Sequence, residues 1–268
     1  LLGPGSPATF RIEQGCFIAC GEWSGIRYRA CLVLAEASPA WFWRVRLENT
    51  GTELVRLDLI HTQDLALASY GAIRLNEYYV SQYLDHAPIR HPRRGRVVAT
   101  RQNLAVGGRH PWCLLGALGE GAACATDALQ VFGFAGRTGA PPPGLLRGLP
   151  DERWQHEHAM VAIQDAPFSL APGETVERGF FGWLEAHHPD ASSAADLAFV
   201  DRALALPECS AALPAGDGPA WPSGAGLFSR QTGLTAQDLD ESELDRWFGN
   251  PRRLEERDDG HLLSFFLE

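Results

Sequence analysis

Residues 41–48 read Trp-Phe-Trp-Arg-Val-Arg-Leu-Glu. In an extended chain, Trp41, Trp43, Val45 and Leu47 fall on one side, with Phe42, Arg44, Arg46 and Glu48 on the other. A period of two predicts a strand with one buried face. Asn49-Thr50-Gly51 is a turn signal, and the apolar run 54–60 that follows predicts the return strand of a hairpin. Further strands are predicted over 27–35, 96–102, 113–118, 160–163 and 175–185, the last entered through the turn Ala171-Pro-Gly-Glu174. Many short strands with almost no helix between them predict an all-β sandwich or barrel over 1–190 rather than a βαβ fold. There are more of them than an immunoglobulin-sized domain holds, so a large two-sheet sandwich fits better.

The pattern changes after residue 190. Ser192-Ser193 can cap a helix over 191–206 with Leu197, Val200 and Leu204 on one face, ending before Pro207. Residues 207–230, rich in Pro, Gly, Ala and Ser, predict a long loop. Residues 231–268 predict a helix after Asp240, where Glu243 completes a capping box, and then a hairpin over 252–266 around Asp258-Asp259-Gly260. The final apolar run 264–268 would be an unprotected edge, so the polypeptide is expected to continue.

Composition narrows the function. The 268 residues carry a net charge of −10 and no Lys, all 23 basic residues being Arg. An acidic chain without a basic run has no footprint for a phosphate backbone, so no nucleic-acid partner is expected. The absence of Lys excludes Schiff-base and P-loop chemistry within these residues. No apolar run reaches the length of a membrane helix and no basic leader precedes one, so neither a membrane partner nor export is expected; the location predicted is cytoplasmic. The six cysteines match no metal or redox spacing and are expected to be buried thiols in a reducing compartment.

Candidate chemistry concentrates in Asn76-Glu-Tyr-Tyr-Val-Ser-Gln-Tyr-Leu-Asp-His86. Sugar sites need flat apolar faces for pyranose C–H groups and planar polar groups for hydroxyls, and this stretch supplies both. A half-buried strand and turn whose tyrosines cover the core would have the same composition. Asp127 and Gln130, in small apolar company, either hold a sugar or satisfy backbone donors in a turn. His156-Glu157-His158 could direct two imidazoles to one side, but no third metal ligand stands near, and His187-His188 reads as loop surface.

The stretches 41–68, 76–86, 126–133 and 179–189 resemble the N-terminal region of glycoside hydrolase family 94. The similarity is to members of the 1,2-β-oligoglucan phosphorylase, cyclic β-1,2-glucan synthase and cellobiose phosphorylase type. It spans most of 10–206 and, more loosely, 230–268. The most specific piece is NEYYVSQYLDH; in TDALQVFG, Ala128 and Leu129 stand where bulkier residues are expected.

The resemblance implies a galactose-mutarotase-like β-supersandwich of two large antiparallel sheets, placed before a catalytic (α/α)6 barrel that this chain lacks. In such enzymes a barrel Asp protonates the glycosidic oxygen while inorganic phosphate attacks the anomeric carbon with inversion. Phosphate is thus a co-substrate of the parent, and no cofactor, metal or catalytic residue is expected here. The implied partners are a β-glucan oligosaccharide, the barrel and a second subunit. The implied carbohydrate-facing residues are Asn76, Glu77, Gln82, Tyr83, Asp85 and His86, with Asp127 and Gln130 second. Two alternatives stay open: an aldose epimerase-like enzyme using His61, His86 and Glu185, and a purely structural module with Tyr79, Tyr83 and Trp183 buried.

Overall fold

The computed structural model describes residues 8–134, 141–155, 158–214, 239–258 and 261–267. Strands β1 (Thr9–Glu13), β2 (Cys16–Trp23), β3 (Ile26–Leu34) and β4 (Ala40–Asn49) run as an antiparallel meander, followed by the short β5 (Val55–Leu57) and β6 (Ile60–Asp64). Helix α1 (Tyr70–Ser81) leads into β7 (Leu84–His91), β8 (Gly95–Gln102), β9 (Trp112–Ala117) and β10 (Gly121–Asp127). The short helices α2 (Ala128–Phe132) and α3 (Pro143–Arg147) precede β11 (Ala159–Asp165), β12 (Phe168–Leu170) and β13 (Thr175–Glu185). Helix α4 (Leu197–Leu204), helix α5 (Glu241–Phe248) and the hairpin β14 (Arg252–Asp258) and β15 (His261–Leu267) complete the described elements.

Eleven strands form one hydrogen-bonded sheet, ten of them in the path β1-β2-β3-β4-β13-β9-β8-β10-β11-β6 and β7 off it, paired with β8. All pairings on it are antiparallel except β8 with β10, which meet in parallel at the single pair Gly95 and Gly121. There the path folds over. Val98, Leu115 and Phe180 of the first wing pack in one cluster with Cys124, Val161 and Ile163 of the second, which a flat sheet could not achieve. The all-β sandwich is therefore present as an eight-strand layer, from β1 to β7, facing a smaller one of β10, β11 and β6. The short pair β5–β12 extends the cover over β2–β4 through Phe168 and Leu170.

The fold-over depends on two glycines. A Cβ on Gly121 would lie 2.3 Å from the Arg96 carbonyl oxygen, and one on Gly95, at φ +62°, would lie 2.3 Å from the Gly121 oxygen. Only backbone without side chains can pass so closely. Glycine recurs opposite aromatic rings in the large layer: Trp41 lies across its partner Gly182, and Tyr28 across Gly21. In each pair the missing side chain leaves the space the ring fills.

Strand β4 departs from the expectation of one buried face. Val45 and Leu47 face the inner core, but Phe42 is also fully buried and Arg44 nearly so, on the opposite side. A second apolar cluster covers that side: Val200 and Ala203 of α4 pack on Phe42, Trp112, Leu114, Phe181 and Trp183. The helix is moored there by polar bonds. Trp112 Nε1 donates to Ser192 Oγ (2.9 Å), and His188, stacked on Trp112, meets Asp196 Oδ1 through Nε2 (2.9 Å). His188 is thus a half-buried mooring residue, not the loop surface predicted.

The hairpin predicted between 41–48 and 54–60 does not form. Strand β4 is saturated by β3 and β13, and β5 pairs with β12. Instead of turning a hairpin, Asn49 binds Gly51 N, Glu53 O and Leu170 O with its buried side chain. Residues 215–230 of the predicted loop, and 231–238 after it, lie outside the described residues.

Gly121→Ala should lower the unfolding free energy by about 3 kcal/mol, because the backbone it would strike cannot move without breaking the fold-over. Gly173→Ala, at φ +75° with nothing within 4 Å, should cost only about 1 kcal/mol. Urea unfolding of both variants measures the difference.

Candidate functional site

The segment 76–86 is not the half-buried strand and turn that its composition also allowed. It begins as helix. Ser69 caps α1 by accepting from Ala72 N (3.3 Å), and the helix breaks at Asn76, whose backbone turns extended (φ −162°, ψ 87°). The Asn76 Oδ1 then accepts from Tyr79 N (3.0 Å), recapping the second half. The chain leaves α1 at Gln82 and enters β7, where Asp85 stands opposite Arg101 and His86 opposite Thr100.

Tyr79 and Tyr83 meet edge to face, ring centroids 5.1 Å apart, and Tyr83 OH donates to Tyr79 OH (3.1 Å). That bond raises the Tyr83 phenol above its ordinary pKa. Tyr79 is 47% exposed and Tyr78 52%, whereas Trp183 is core at 7%. The tyrosines therefore form surface, which sets aside a module whose aromatics are all buried.

The structure brings in a stretch that the sequence did not single out. Arg153 donates to Asp85 Oδ1 (2.8 Å) and to Gln155 Oε1 (2.9 Å), and Gln155 Nε2 reaches the Gln82 carbonyl (3.3 Å). Residues 153–155 are in turn held from below. Thr126 Oγ1 exchanges bonds with both backbone groups of Trp154 (2.6 and 2.7 Å), and Gln130 Nε2 donates to Glu152 O (3.0 Å).

Asp127 and Gln130 belong to that support. Asp127 Oδ1 caps α2 at Leu129 N (2.9 Å), while Gln130 Oε1 accepts from Thr126 N (2.8 Å) and Asp127 N (3.1 Å). Both side chains are buried, at 0% and 8% exposure, so the backbone-satisfying reading describes what they do. The face thus assembles Gln82, Tyr83 and Asp85 with Tyr79, Arg153 and Gln155. Asn76 acts in the helix kink, and Glu77 lies apart, beside a shallow depression lined by Ser69 and Ile73.

His86 lies beneath this face, 1% exposed, its Nδ1 2.9 Å from Thr100 Oγ1. Burial, and then the nearby Arg153 charge, push its pKa down to about 4. Gln102 anchors the same region by donating to Ala66 O (2.9 Å) and Val80 O (3.2 Å); an alternating strand pattern does not mark such a residue. The epimerase constellation is not assembled. His61 stacks on Phe180 at the inner core, and His86 shares the inner side of β7 with Leu84. Glu185 points to the other side of the layer, where it accepts from Trp183 Nε1 (2.8 Å).

Among the described residues no group of three His, Cys, Asp or Glu could hold a metal. His156 and Glu157 of the predicted HxH pair lie outside them. All six cysteines are free; burial drives Cys113 and Cys124 up to about 12, which keeps them protonated. No described helix is long and apolar enough to cross a membrane.

What the arrangement offers is a surface where the exposed Tyr79–Tyr83 pair adjoins the Asp85–Arg153–Gln155 bonds. Residues 1–182 match the family model of the SOGP N-terminal domain. The chain belongs to that family. The chain is 31% identical over 230 residues to a 1,2-β-oligoglucan phosphorylase of Listeria innocua serovar 6a, a match covering 84% of this chain. It spans about a fifth of that relative's length (19%). Looser three-dimensional likenesses include a protein described as a kojibiose phosphorylase, from the human microbiome (TM-score 0.40, 6% identity, 70% of this chain and 20% of that one). Another is a galactose mutarotase related enzyme of Lactobacillus acidophilus (TM-score 0.32, 9% identity, 69% and 73%).

The acid response of the domain should report on His86. Its folded pKa of about 4 lies below the ordinary 6.5, so between those values the unfolded chain binds more protons and stability falls as pH drops. His61, also near 4, adds to the loss, while Asp165, pushed up to about 6 chiefly by burial, opposes it. His86→Gln should remove about 3 kcal/mol of acid sensitivity between pH 6.5 and 4, read from urea unfolding across that range.

Proposed function

We propose that this domain is the non-catalytic N-terminal part of a glycoside phosphorylase acting on β-1,2-linked gluco-oligosaccharides. Its Tyr79–Tyr83–Asp85–Arg153 face lies at the mouth of an (α/α)6 catalytic barrel and contributes to subunit assembly. The observation that carries the reading is the family match over 1–182, joined to a surface where exposed tyrosines adjoin the Arg153–Asp85 pair. On helix α1, Tyr70, Leu75 and Tyr78 are 73%, 88% and 52% exposed, apolar surface suited to a barrel or a second subunit.

The division of labour follows from the chemistry. Phosphate is itself the nucleophile, so the parent needs one proton donor and an anion pocket, both supplied by the barrel. This domain supplies shape and hydroxyl partners, and requires no cofactor. Six unpaired thiols suit a reducing, cytoplasmic setting.

Incubating the chain with β-1,2-gluco-oligosaccharides and inorganic phosphate should yield no α-glucose 1-phosphate above a denatured control. Product would place the machinery within these residues and overturn the reading. In a full-length parent enzyme, Tyr83→Ala should raise KM for the oligosaccharide about fivefold with kcat little changed, the signature of lost uniform binding.

A further inference from the structure

The two layers do not meet everywhere. Between the inner side of β2–β4 and strands β5 and β6 lies an open cleft of about 1390 Å³. That exceeds the 300–1,000 Å³ usual for a pocket that encloses one small molecule. Its walls differ in chemistry. The large layer presents indole rings: Trp23 at the rim, 65% exposed, and Trp43 deeper, set edge-on against Phe17. The opposite wall presents Arg56 and Asp58, then His61 and Gln63 of β6.

His61 is the informative residue. Its ring stacks on Phe180, centroids 5.2 Å apart, and its Nε2 is shielded from solvent yet has no hydrogen-bond partner. Burial holds its pKa near 4, against a hydrogen bond with Gln63, so the imidazole is neutral at pH 7. A buried ring nitrogen without a partner costs stability unless something binds it. Asp58 spends one oxygen on Gln164 Nε2 (2.6 Å) and keeps the other.

Arg56 stands against both Asp58 and Asp64, so this wall does not favour an anion. Flat apolar rings facing planar donors and acceptors suit a neutral polyhydroxylated chain, whose C–H faces stack while its hydroxyls bond. We propose that this cleft binds a gluco-oligosaccharide, stacked on Trp23 and Trp43 and hydrogen-bonded by His61, Gln63 and Asp58. The site is separate from the Tyr79–Tyr83 face, and only its glucan specificity rests on the function proposed above.

The test is a titration of the full chain with a β-1,2-linked glucopentaose, followed through the indole N–H signals in two-dimensional NMR. Trp23 and Trp43 should shift saturably while Trp154 and Trp247 stay still. His61→Phe keeps the ring but removes the nitrogens, and should weaken binding about fivefold. Trp23→Ala, at an exposed rim where folding is not at stake, should weaken it about tenfold. A Tyr79→Ala, Tyr83→Ala double variant should leave the Kd within about twofold. No saturable shift up to about 10 mM sugar overturns the proposal. Binding lost in the tyrosine variant and kept in Trp23→Ala also overturns it, while leaving the assembly-domain reading intact.

Discussion

The contact on which the architecture turns is the approach of two backbones at Gly95 and Gly121. One parallel pair there lets an eleven-strand sheet leave the plane of the large layer and return above it. Each glycine stands 2.3 Å, at its missing Cβ, from the other segment's carbonyl oxygen. The inner core between Val98, Leu115 and Phe180 below and Val161 and Ile163 above exists because that crossing is possible.

The candidate face inherits its position from the same crossing. Strand β10 leaves Gly121 and ends in the capping box of Asp127 and Gln130. That box holds residues 152–155, and they in turn pair with Gln82 and Asp85. Three segments far apart in the chain thus reach one surface through a chain of side chain to backbone bonds. Thr126, Asp127 Oδ1 and Gln130, buried along the way, are used in fixing backbone.

Burial and strand alternation decide where the titratable groups of the sheet stand. The deep imidazoles, His61 and His86, are held neutral by burial and sit on the inner side, while Glu185 is on the outer. Acid–base catalysis needs a donor and an acceptor converging on one atom, and the sheet's alternation keeps these apart. The outer side is closed instead by α4, through Trp112, His188 and Asp196. Where α4 covers it, the layer is buried on both sides and has little freedom to rearrange.

Alternation along the chain was enough to place β3, β4, β8, β9 and β13, and the cap signals located α4 and α5, because these depend on contacts a few residues apart. The motif 76–86 was legible as chemistry but not as structure. Its tyrosines suit a strand as well as a helix, and the kink at Asn76 is a local hydrogen bond that composition does not encode. Pairing was beyond the sequence: the turn at Asn49 suggested a hairpin, yet β4 found better partners in β3 and in β13, more than 120 residues away. Likewise Arg153 and Gln102 carry no pattern of their own. The sequence by itself determined most strands of the large layer and the resemblance to the N-terminal region of glycoside phosphorylases. Only the tertiary structure decided which faces are buried, that Asp127 and Gln130 serve as scaffold, and that Asp85 meets Arg153, because each of those depends on contacts between residues distant in sequence.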